Sequence, residues 1–125
     1  MKTSINALHH QETDWLRELE FYNDELGILL KRLEEVVTKN SSAETLAQAE
    51  HFQTRFILLE QQYKALHKEN SERSARVNQM AKAMAENIED EFTGDQDNMN
   101  ARMSDFVNSF QNNRLQFNRF LSKVL

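Results

Sequence analysis

Four histidines, His9, His10, His51 and His67, offer the chain's main prospects for metal or acid–base chemistry, because it has no cysteine. A carboxylate-bridged dimetal site in a helical bundle needs Glu-x-x-His on two helices, so that both ligands share a face one turn apart. The residues three before the histidines are Asn6, Ala7, Gln48 and Lys64, and none is acidic. No His-x-x-x-His occurs either. His51 and His67 are 16 residues apart, which on one helix separates them by ~24 Å. A multinuclear site is therefore not expected.

His9 and Glu12 are the remaining acid–imidazole pair at helical contact spacing. If the chain folds back on itself near residues 40–42, Glu12 lands opposite Asn70 and Arg73, and Trp15 lies near His67. The outcome is a polar layer of His9, Glu12, His67, Asn70 and Arg73 at one end of a bundle. Its structural use is a salt bridge, or a polar core layer of Glu12, Asn70 and Arg73 that fixes register. Its functional use is a small ligand or single metal ion held by His9, Glu12 and His67, with Arg73 in the same layer.

Other constellations fail on spacing. Asp95-Gln96-Asp97-Asn98-Met99-Asn100 begins like a calcium loop, but Met99 occupies a ligand position, Asn100 replaces the required glycine and Phe106 stands where the bidentate Glu belongs. There is no glycine-rich phosphate loop and no serine spaced to use a histidine as base. No catalytic residue, no cofactor and no enzymatic activity are expected. Without cysteine, disulfides and thiolate metal sites are excluded as well.

The elements that must position these residues are helical. In 125 residues there is no proline and only two glycines, Gly27 and Gly94, too few for the tight turns of a sheet protein. Trp15, Leu19, Tyr22, Leu26, Leu29, Leu33 and Val36 recur at spacings of four and three, a coiled-coil-like stripe on one helix face. Leu16, Leu30 and Val37 widen it, and Ile5 and Leu8 extend it backwards through Glu12. Ser41-Ser42-Ala43-Glu44 matches a capping box with Ser41 as N-cap. Beyond it Leu46, Ala49, Phe52, Phe56, Leu59, Tyr63 and Leu66 share a face.

The run His67–Arg76 has no large apolar residue, and two readings compete there. The heptad phase continues unbroken through Asn70, Arg73, Val77, Met80 and Met84. Asn70-Ser71, however, is a plausible cap pair where one helix stops and another starts. With the break, Val77, Met80, Ala81, Met84, Ile88 and Phe92 form a third inner face, Phe92-Thr93-Gly94-Asp95 a turn, and Met99, Met103, Phe106, Phe110, Phe117, Phe120 and Val124 a fourth. The spacing thus predicts one all-α domain over 1–125, an up-down-up-down antiparallel four-helix bundle with helices at 4–39, 43–69, 72–92 and 95–124. The alternative is three long helices completed by dimerisation, since an unbroken second helix would leave the outer two on different halves of it.

Net charge is −5, unevenly placed: residues 1–97 balance to −8 and residues 98–125 to +3. An acidic body is opposite in sign to a nucleic-acid-binding domain, and the two surfaces are expected to complement each other within the fold or an oligomer. No run is apolar enough for a signal peptide or a span, so a cytoplasmic location is expected, with surface contact by 99–124 the one membrane prospect. The expected function is interaction or assembly without catalysis, with a protein partner or itself as a homodimer. The rival is a ligand- or metal-binding bundle using His9, Glu12, His67 and Arg73.

Overall fold

A computed structural model describes residues 5–82 and 88–125, with side-chain detail over 7–79, at 82 and over 96–125. The described residues form three helices, α1 (Ile5–Lys39), α2 (Ala43–Lys82) and α3 (Ile88–Val124). Each runs about 50–60 Å at 1.5 Å per residue. All seven stripe residues from Trp15 to Val36 are buried, and Leu8 continues the stripe toward the N-terminus. Leu16 and Leu30 flank it half-buried, whereas Val37 faces solvent. α1 stops where its last carbonyls find other donors. The Asn40 amide and its Nδ2 both donate to Val36 O, at 3.1 and 2.9 Å, and Lys39 sits at the negative end of the helix dipole.

The cap of α2 falls one residue later than the sequence pattern predicts. Thr45 N donates to Ser42 Oγ at 3.5 Å, and Leu46 N donates to Ser42 O at 3.0 Å. Ser42, not Ser41, is therefore the N-cap, because its carbonyl accepts the first helical bond. Three residues suffice to turn the chain, so α1 and α2 are antiparallel neighbours.

Both expected interruptions downstream are absent, and the four-helix bundle with them. α2 passes unbroken through Asn70–Arg73 to Lys82, so the predicted boundary between segments 43–69 and 72–92 does not exist, and residues 88–92 belong to α3. Cap-forming side chains end a helix only when they compete for its backbone. Asn70 instead donates Nδ2 to Leu66 O, one turn back in the same helix, at 3.0 Å, and to Met99 Sδ at 3.4 Å. Residues 92–95 likewise lie inside α3, which begins at Ile88 and not at 95. A helix-interior glycine costs only ~1 kcal/mol, and without proline nothing forces a stop at Gly94. α3 runs antiparallel to α2, with Asn70 against Met99 and Arg55 against Gln116. The side chains of Met80, Ala81, Met84, Ile88 and Phe92, assigned to a third inner face, lie outside the described residues.

Because α3 starts at Ile88, it runs the whole length of α2 alongside α1. The premise that an unbroken α2 would strand the outer helices on different halves therefore fails. Contacts mark one register from end to end. Gln96 of α3 donates to Gln11 of α1, Tyr22 packs on Phe106 and Phe110 at centroid distances of 6.0 and 4.8 Å, and Arg114 pairs with Glu25 at 3.8 Å. At the other end Phe52, Phe56, Phe117 and Phe120 form a ring cluster with centroids 5.0 to 6.2 Å apart. Burying each such ring is worth about 1.5–3 kcal/mol. Leu46, Tyr63 and Val124 reach only the edge of this core, and Leu121 joins it.

Candidate functional site

Three features of the bundle hold polar or accessible groups in defined geometry. One is the buried polar layer near the α1 N-terminus. Among the described residues the buried polar or charged side chains are Glu12, Asn70 and Arg73. Each sits on a heptad position continuous with leucines or phenylalanines, so the helix phase carries it inward whatever its polarity. Arg73 Nε lies 3.6 Å from Glu12 Oε1, an ion-pair distance longer than a hydrogen bond. The Arg73 guanidinium also sits over the Trp15 ring, 5.7 Å from its centroid, a cation–π contact at the same level.

Burial pushes the Glu12 carboxyl above its ordinary value. The nearby Arg73 charge, and after it His9, the Ser74 hydroxyl and Arg76, pull it back without cancelling the rise. Desolvation disfavours the carboxylate more than its neighbours favour it. His9, one turn before Glu12, is half-buried. His67 is also half-buried and packs on Tyr63 with ring centroids 5.6 Å apart. Among the described residues no three His, Asp or Glu side chains approach one another as a metal site needs.

A groove of about 540 Å³ lies at the opposite end, between the start of α2 and the end of α3. Phe52 and Phe120 form its floor, with Glu44, His51, Arg119 and Lys123 around it. Sequence reasoning assigned His51 no role. The available signal was that Phe52 and Phe120 both stand near helix ends, where a ring is covered from one side only.

The third feature is the outward side of α1 and its border with α2. Gly27, Ile28, Asp24 and Lys31 line a groove of about 560 Å³ there together with Glu60. On α2, burial and then the charges of Glu20 and Asp24 push the Tyr63 hydroxyl above its ordinary value. The sequence signal for this face was Phe21 and Ile28, seven apart and off the core stripe.

The basic character of α3 is partly consumed inside the bundle. Arg102 pairs with Glu69 of α2, and Arg114 pairs with Glu25 while lying over the Phe110 ring. Arg55 of α2 donates to Asn113 Oδ1 and Gln116 Oε1 of α3, at 3.2 and 2.7 Å. That gives the polar Asn113, which stands between Phe110 and Phe117 in the heptad phase of the α3 stripe, a partner on α2. No helix of the described residues is long and apolar enough to cross a membrane. The chain matches no known family model, no curated protein and no solved structure.

Proposed function

We propose that this chain is a non-enzymatic interaction module that works by self-association, presenting a fixed helix face to a second copy. The observation that supports this reading is a set of large apolar side chains turned to solvent on helices that already close a core of their own. Phe21 and Ile28 on α1 are 53% and 51% exposed, and Ile57 on α2 is 45% exposed. Scattered exposed apolar residues are ordinary on a monomer. Here Phe21 and Ile28 lie two turns apart on one side of α1. In the register set by the Glu12–Arg73 pair, Ile57 on the neighbouring helix stands level with Ile28, and large apolar side chains exposed together on one stretch of a bundle are what association sites use.

The test is sedimentation velocity of the full chain over about 5–500 µM, a span set by the weak affinity expected of a small interface. Self-association raises the weight-average mass from the chain mass of 14.7 kDa toward twice that value. A constant monomer mass over the whole range overturns the reading.

The rival, a ligand or metal ion at His9, Glu12, His67 and Arg73, has less support. Glu12 faces Arg73 directly, and His67 packs on Tyr63. Calorimetric titration of the chain with Zn²⁺, showing stoichiometric heat that Glu12→Gln removes, would revive it.

A further inference from the structure

The outward side of α1 carries features that no interaction inside the chain requires. Gly27 lies mid-helix, and a Cβ built on it meets nothing within 4 Å. The fold has no steric need for glycine where alanine is the better helix former. Glycine at such a position has its use when another backbone or side chain approaches closely. The groove beside it has Leu26 and Leu30 at its base and Asp24, Lys31 and Glu60 on its walls. Asp24 and Lys31, two turns apart on the same side of α1, form no ion pair with a described residue.

We infer that this face docks a second copy of the chain, α1 against α1 and antiparallel, about a two-fold axis passing between Gly27 and Ile28. The inference rests on the self-association reading above and specifies its surface. A two-fold interface must be self-complementary, each residue meeting its counterpart across the axis. Here the axis passes midway between Asp24 and Lys31, so Asp24 of each copy meets Lys31 of the other and the ion pair forms twice. On one flank of that pair the axis brings Gly27 of each copy against Gly27 of the other, where the missing side chains let the helices approach closely, and on the other flank it brings Ile28 against Ile28. Phe21 and Ile57 extend the apolar contact to either side. Glu20 and Glu35 come level with each other at the outer edge, both exposed, where the high dielectric constant of water weakens their repulsion. The contact is small beside the ~1,200–2,000 Å² of a stable interface, so the dimer is weak and concentration-dependent.

The experiment is sedimentation velocity at low salt on the full chain and on Asp24→Lys, Lys31→Asp, the double reversal and Gly27→Leu. Circular dichroism checks that each variant retains its helicity, which exposed positions permit. Each single reversal replaces two attractive contacts by two repulsive ones and weakens the dimer roughly tenfold or more. The double reversal regenerates both pairs and restores association to within about threefold of wild type, as symmetry requires. Gly27→Leu fills the groove and abolishes the dimer. Single reversals that associate like wild type, or a double reversal that stays dissociated, overturn this face while leaving self-association through another surface. A wild-type chain monomeric throughout overturns both.

Discussion

The two ends of the bundle use the same three helices and opposite chemistry. Near residues 52–56 and 117–120 the core is a cluster of phenylalanine rings. Near residues 12 and 70–73 it is a carboxylate, an amide and a guanidinium, all at most 2% exposed. The aromatic end gains stability from non-directional burial. Its rings tolerate adjustment in how they meet. At the polar end each group depends on specific neighbours: Glu12 has the Arg73 charge at ion-pair distance, and Asn70 Nδ2 donates to Leu66 O and Met99 Sδ. Sliding α1 along α2 by a turn would leave Glu12 and Arg73 buried without each other, which costs more than their interaction contributes in place. The comparison therefore separates the end that stabilises the bundle from the end that fixes its alignment.

The sharpest way to break the aromatic end is Phe117→Ala, since that ring touches Phe52, Phe56 and Phe120. A loss of about 3–5 kcal/mol is expected from cavity formation, read by urea denaturation monitored by circular dichroism. At the polar end Arg73→Met strips Glu12 of its buried counter-charge and should cost about 3 kcal/mol in the same assay. The double variant Glu12→Leu/Arg73→Met should recover most of that loss, because an apolar pair replaces an ion pair with little penalty. If the double variant is as unstable as the single one, the layer does more than hold register.

A smaller effect separates the ends by pH. Because the Glu12 carboxyl is raised in the folded state, the folded chain holds that proton more tightly than the unfolded one. Its stabilising contribution is full below the ordinary carboxyl value and is lost as pH rises through the raised one. Relative to Glu12→Gln, the wild-type chain should therefore lose stability as pH rises above the ordinary carboxyl value, whereas a variant of the aromatic end should track wild type. Denaturant midpoints at several pH values check this. The smallest effect belongs to neither end. Gly27→Ala, studied dilute enough to stay monomeric, should stabilise the chain by up to ~1 kcal/mol, since its methyl group meets open space.

Much of the fold was legible in the sequence because helix phase is a local property. The α1 stripe, its end at Lys39, and the inward placement of Glu12, Asn70 and Arg73 all follow from counting residues around a helix. Where the helices stop was less legible. Asn70-Ser71 and Thr93-Gly94-Asp95 carry the residue types of caps and turns, yet those side chains are equally compatible with a helix interior when packing or an i−4 carbonyl engages them. Heptad continuity was the better guide at Asn70. At Gly94 the cost of glycine is too small to decide anything against the burial gained along α3. The grooves at Phe120 and at Gly27 were not legible, because a concavity exists only between helices.

The sequence by itself determined that this is an all-helical chain and which side of each helix turns inward, because the period of apolar residues sets both. Tertiary structure alone decided between three long helices and four among the described residues, and showed that the Arg73 guanidinium covers Trp15 and that Gly27 stands open beside an exposed isoleucine. The physical reason is that phase is written in neighbouring residues, whereas helix ends, ion-pair partners and open faces depend on what residues sixty or more positions away bring against them.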